Sequence, residues 1–161
     1  MSSPDSNSGI GPNARYYEEF TEGDNWVTPR RTITETDVVM FTAMTGDNNP
    51  IHTDAEFAKT TIYKGRLLHG PAGFAIATGL ESRLGIKEGT AIAFLGMTWD
   101  MRGPILIGDT IYVKEKVSSK RITSKGQGIV NFHVELCNQR GDVVQAGEWK
   151  VMMIRKETLK A

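Results

Sequence analysis

Asp47 and His52 are the two side chains best placed by type and spacing to do chemistry. They lie in the stretch MTGDNNPIH, Met44 to His52. No hydrophobic periodicity explains this run. Pro50 has no backbone N–H and pushes Asn49 toward extended geometry, so the segment between acid and imidazole is stiff. Asn48 and Asn49 can pin it further through side-chain to backbone hydrogen bonds. A rigid loop of this kind can activate water: one group takes a proton from it, and the pair supplies or relays a proton elsewhere. The same residues also read as a plain turn, with Asp47 capping its own backbone and His52 abutting a helix.

A second feature lies downstream in LLHGPAG, Leu67 to Gly73. Gly70 reads as the cap of a helix and Pro71 suits its first position. The first N–H groups of a helix are unpaired and carry partial positive charge. Glycine lets a ligand atom approach that backbone closely. Such a helix start can receive a carbonyl oxygen that gains charge in a transition state, although plain helix capping accounts for it too.

The elements that must hold these groups are legible in order. A turn at Gly23-Asp24 leads into an extended segment. Thr34 and Asp37 open a helix that Gly46 stops. Thr53 and Glu56 resemble a second capping pair, opening a short helix through about Ala58. From Pro71 to Leu80 there is no charge and small residues dominate, which predicts a helix buried all round. Four extended segments follow: AIAFLGMTWDMR, DTIYVKEKVSS, KGQGIVNFHVELCNQ and DVVQAGEWKVMMIRK. This order predicts an α+β layer fold, a curved antiparallel sheet wrapped around one central helix. Sheet edges and one face then need cover, which predicts a homodimer or higher homo-oligomer.

Composition bounds the function. The chain has 161 residues and a formal net charge of zero. That speaks against a nucleic-acid partner. Residues 1–15 read as a disordered leader and 16–161 as a single domain. The first residues lack a basic region followed by an apolar core, so no secretory signal is expected, and no apolar run reaches membrane-spanning length. The single cysteine, Cys137, lies in an alternating run and reads as a packed thiol; a cytoplasmic location is expected. Lys114, Lys116, Lys120, Arg121 and Lys125 form either a solvated strand face or an anionic-ligand patch. His69 and His133 have no metal-ligand spacing, and His133 reads as an ordinary strand residue.

FTAMTGDNNPIHTDAEFA followed by LLHGPAGFAIATGL resembles the MaoC-like dehydratases, the (R)-specific enoyl-CoA hydratases. Phe41, Gly46, Asp47, Asn49, Pro50, Ile51, His52 and Ala58 carry the motif; His69 and Gly70 carry the downstream element. GPILIGDTIYVKEKV also looks like the family, and the resemblance runs from about Tyr17 to Arg155. It implies a hot-dog fold and hydration of trans-2-enoyl-CoA thioesters to (R)-3-hydroxyacyl-CoA, or the reverse dehydration. It implies that Asp47 and His52 are the catalytic dyad and that the Gly70 N–H binds the thioester oxygen. Asn49 would brace the loop, and Thr78 would stand where the family has a serine. No metal or other cofactor is implied. The substrate would be carried on CoA or on acyl carrier protein, and the Lys114–Lys125 residues would meet the CoA phosphates.

Two departures bear on substrate. Pro71 removes one N–H from the oxyanion site, leaving Gly70 and Ala72. Glu81, three residues after Thr78, would disfavour long apolar acyl chains if it lines the acyl pocket; otherwise it sits at the exposed helix end beside solvent or Arg83. Glu81 is also the one feature that favours the alternative, a hot-dog acyl-CoA thioesterase.

Overall fold

The computed structural model describes residues 9–159. Two short strands, β1 (Asn25–Val27) and β2 (Arg31–Thr32), precede four helices: α1 (Glu35–Thr45), α2 (Pro50–Thr53), α3 (Ala55–Thr60) and α4 (Gly70–Ser82). The rest is strand: β3 (Ala91–Met97), β4 (Asp100–Met101), β5 (Thr110–Ile122), β6 (Gly128–Cys137) and β7 (Val143–Met153). All pairings are antiparallel, in the order β1-β5-β6-β7-β3, with β2 also on β5 and β4 also on β7. Of the leader expected at 1–15, residues 1–8 lie outside the described residues. Gly11 and Arg15 donate backbone hydrogen bonds to the carbonyls of Glu88 and Ile86.

Alternation along the long strands decides which side chains face α4. Val113 and Val117 of β5, Val130, Phe132, Val134 and Leu136 of β6, and Trp149 and Val151 of β7 are buried in one cluster with Ala72, Ala77 and Leu80 of α4. Small residues on that helix face permit close approach. A Cβ on Gly73 would stand 2.5 Å from Nε2 of the buried Gln145 on β7, so any larger residue there must push that amide aside.

Helix α4 is not buried all round. Pro71, Ala75 and Gly79 are exposed, one above the other along the helix. The helix lies against one face of the sheet, and its far side is bare among the described residues. The absence of charge marked the helix but not which side was covered.

Two caps sit one residue from where sequence puts them. Asp54, not Thr53, caps α3: its Oδ1 accepts from the N–H groups of Glu56 and Phe57, each at 2.9 Å. Thr53 instead ends the turn begun by Pro50. His69, not Gly70, is the N-cap of α4, and Gly70 is its first residue. The Thr34–Asp37 cap forms as expected, with Asp37 Oδ2 accepting from the Thr34 N–H at 2.8 Å.

Candidate active site

Gly46 stops α1 in a left-handed conformation, φ 76°, that a Cβ would strain. The next four residues are pinned as their types predict. Asp47 Oδ1 accepts from the Asn49 N–H at 3.2 Å, and Asn49 Oδ1 from the Ile51 N–H at 3.2 Å. Asn48 Nδ2 donates to the Gly46 carbonyl at 3.0 Å, and the His52 N–H to the Asn49 carbonyl at 2.9 Å. Pro50 opens α2, where its missing N–H costs nothing. The loop leaves Asp47 exposed and His52 half-buried.

His52 Nδ1 lies 2.9 Å from the Leu67 carbonyl. A carbonyl only accepts, so Nδ1 carries a proton, and in the neutral ring the lone pair is on Nε2. That acceptor is itself held: the Leu67 N–H bonds the Ile51 carbonyl at 3.2 Å, Leu67 bridges Leu106, and the Leu68 N–H bonds the Ile105 carbonyl at 2.8 Å. The Gly108-Asp109 turn fixes that strip, with buried Asp109 accepting from the Leu106 N–H at 2.8 Å. The late GPILIGDT segment thus reaches the histidine of the early motif.

His69 joins the site, which its sequence spacing did not reveal. It is 1% exposed, and its ring stacks on that of His52 with centroids 3.8 Å apart and planes at 25°. Its Nε2–H donates to the Asp47 carbonyl at 3.1 Å, and Phe41 lies 4.9 Å from its ring. One donor atom from each of Asp47, His52 and His69 lies within 4.8 Å of the others. Stacked imidazoles send their in-plane lone pairs along parallel lines, whereas metal-bound histidines aim at one point about 2 Å away. The cluster suits proton transfer better than ion coordination.

Gly70 follows His69 directly, so the helix start is tied to the same cluster. As the first residue of α4 its N–H has no intrahelical acceptor. Its carbonyl accepts from Gln145 Nε2 at 3.0 Å, and Gln145 Oε1 accepts from Trp99 Nε1 at 2.9 Å. These bonds fix the end of the helix on β7. The side chain of Met101 on β4 lies 3.2 Å from where a Gly70 Cβ would be.

Thr78 stands eight residues further on, about 12 Å along the helix axis. Its hydroxyl donates to the Ala75 carbonyl at 2.7 Å. With Glu81, Lys87, Phe94 and Trp149 it lines a cavity of about 440 Å³. Glu81 is half-buried and its ion pair is not with Arg83. It pairs with Lys87 at 2.7 Å, and Lys87 also pairs with Glu115 and lies 3.8 Å over the Phe132 ring. The loop after α4 folds back and delivers this lysine. Burial pushes the Glu115 carboxyl up to about 7, with Lys87 pulling it down and Glu81 pushing it further up.

The remaining candidates stay structural. Cys137 is buried, and burial raises its thiol pKa. His133 sits on the exposed sheet face against Glu148 at 2.8 Å. Lys114 and Lys116 stand opposite Glu135 and His133, and Lys120 turns to the carbonyls of Tyr17 and Glu18. The basic run is a solvated strand face.

The family model of the MaoC like domain matches residues 19–136. Protein MaoC of Klebsiella aerogenes is 38% identical over 73% of the chain, which spans about a third, 34%, of that protein. The (R)-specific enoyl-CoA hydratase of Rhodospirillum rubrum is 32% identical over 86% of the chain and 91% of its own length. The 3-hydroxybutyryl-CoA dehydratase of Methylorubrum extorquens is 35% identical over 88% of the chain and 86% of its own. Among solved structures, a monoamine oxidase regulatory protein from Archaeoglobus superposes with a TM-score of 0.84 at 31% identity, covering 91% of this chain and 99% of that one.

Proposed function

The chain belongs to the MaoC-like domain family and shares its hot-dog fold, and on that premise we propose that it is a hydro-lyase acting on 2-enoyl-CoA thioesters. The observation that carries this reading is the loop holding Asp47 and His52. A carboxylate and an imidazole whose Nδ1 is held by a carbonyl come within 4.8 Å of each other and of His69, which directly precedes the helix-opening Gly70. His52 takes a proton from water, and the hydroxyl adds to C3 of the conjugated thioester. Charge builds on the thioester oxygen, where the first N–H groups of α4 stabilise it. The Asp47–His52 pair returns a proton to C2 on the same face, giving the (R)-3-hydroxyacyl product, and dehydration is the reverse. Asn49 braces the loop.

Pro71 has no N–H, so Gly70 and Ala72 carry the oxyanion site. Thr78, Glu81 and Lys87 border the 440 Å³ cavity, which favours short or polar acyl groups over long alkyl chains. The thioesterase alternative rested on Glu81, and that carboxylate is tied to Lys87.

No helix among the described residues is long and apolar enough to cross a membrane, and the lone buried Cys137 fits the cytoplasm. A second copy of the chain covers the edge strand β3, where Ile92, Phe94, Leu95 and Met97 are all exposed, together with the bare face of α4.

The test is incubation with crotonyl-CoA, following the conjugated-thioester absorbance, the free thiol and the chirality of the product. Loss of absorbance without thiol release, yielding the (R) alcohol, is expected. Release of CoA thiol would make the enzyme a thioesterase.

A further inference from the structure

A cleft of about 320 Å³ opens beside the catalytic loop, lined by Lys59, Tyr63, Lys64, Arg66, Leu106 and Ile107 among others. We infer that this cleft holds the adenosine 3′,5′-bisphosphate end of coenzyme A, an inference that rests on the thioester reading above. Arg66 directly precedes Leu67, whose carbonyl holds His52, and Leu106 bridges Leu67 from the other side. Tyr63 is four residues from Leu67, so the cleft lies within roughly 14 Å of that carbonyl by chain reach alone. The pantetheine arm of CoA, extended, is longer than that.

The lining suits a nucleotide phosphate. Three basic side chains line it together with Leu106, Ile107 and Tyr63, which is 38% exposed. Lysine and arginine give charge-assisted hydrogen bonds to phosphate, and apolar and aromatic side chains take a base. Lys59 pairs with Glu56 at 2.6 Å and Arg66 with Glu35 at 2.7 Å; Lys64 has no carboxylate partner among the described residues. Lys64 is also the one non-glycine residue described with a positive φ, 59°. A lysine standing where glycine would fit without strain points to a use for its ammonium. A recessed site of this size takes a small nucleotide rather than a protein surface, and Lys64, without a carboxylate partner among the described residues, is left to meet its phosphate.

The experiment compares wild type with Lys59→Gln/Lys64→Gly, in which glycine suits the φ of position 64. Calorimetry with adenosine 3′,5′-bisphosphate is expected to show binding to wild type, weakened about tenfold in the variant. KM for crotonyl-CoA is expected to rise by about the same factor while kcat holds, and KM for crotonyl-pantetheine, which lacks the nucleotide, to stay put. No nucleotide binding to wild type would overturn the inference, as would equal shifts for the two thioesters. So would a KM rise confined to crotonyl-acyl carrier protein, which would make the patch a protein contact. If wild type hydrates neither thioester, the hydratase reading fails, and the calorimetry still reports on the cleft.

Discussion

The ring of His52 lies on the ring of His69, 3.8 Å apart, while His69 donates to the main-chain carbonyl of Asp47. One buried histidine thus supports both members of the proposed dyad, the ring of one and the main chain of the other. Replacing it with phenylalanine keeps a ring to stack on but removes the donor. For His69→Phe, kcat for crotonyl-CoA hydration is expected to fall roughly 10- to 100-fold with KM nearly unchanged, because the acid drifts and the base stays. A kcat equal to wild type would mean that the loop needs no support from beneath.

Asp47→Asn and His52→Ala each remove one member of the proposed dyad; Asp47 is exposed, whereas His52 also holds the Leu67 carbonyl and stacks on His69. Turnover is expected to fall by about 100-fold or more in each, with the melting temperature little changed in Asp47→Asn and lowered in His52→Ala. Steady-state rates beside thermal melts check both halves of the statement.

Gly73→Ala strikes packing instead of chemistry. The new Cβ would meet the amide of Gln145 at 2.5 Å and displace it. The Gly70 carbonyl and the Trp99 indole N–H then lose their partner. Each partly buried group left unmet costs up to about 1 kcal/mol, so Tm is expected to drop by a few degrees. Calorimetric melting checks it.

Glu115 makes stability depend on pH. Burial raises its pKa from the ordinary 4.5 to about 7, so the native state keeps a proton that the unfolded chain has released. Its contribution is full below about pH 4.5 and is lost as pH rises through about 7. In Glu115→Gln the part of the decline between those values is expected to vanish. Melts across that range, variant against wild type, measure it.

The exposed apolar edge of β3 predicts assembly. Phe94→Lys is expected to shift the protein from dimer to monomer in sedimentation velocity, since a charge on a joined edge opposes pairing. A wild-type protein that already sediments as a monomer would remove the second copy from the proposal.

Much of this was legible in the sequence because it is local. Gly46, Pro50 and the two asparagines act over two or three residues, and each does what its type dictates. Alternation named the long strands, and the uncharged run named the central helix. What escaped was long-range. His69 is 17 positions from His52, and no spacing rule relates an imidazole to a ring stacked across a fold. Glu81 meets Lys87 and Glu115 only because the loop after α4 turns back over β6 and β5. The basic run on β5 looked like a cluster in one dimension, yet the sheet set it opposite Glu135 and His133.

The chain from Trp99 through Gln145 to the Gly70 carbonyl has an optical consequence. An indole's emission responds to what its N–H meets, and this run of bonds ends on the residue proposed to receive the thioester oxygen. A ligand at the head of α4 is therefore expected to change the fluorescence of Trp99, a side chain on the neighbouring loop, with no label added.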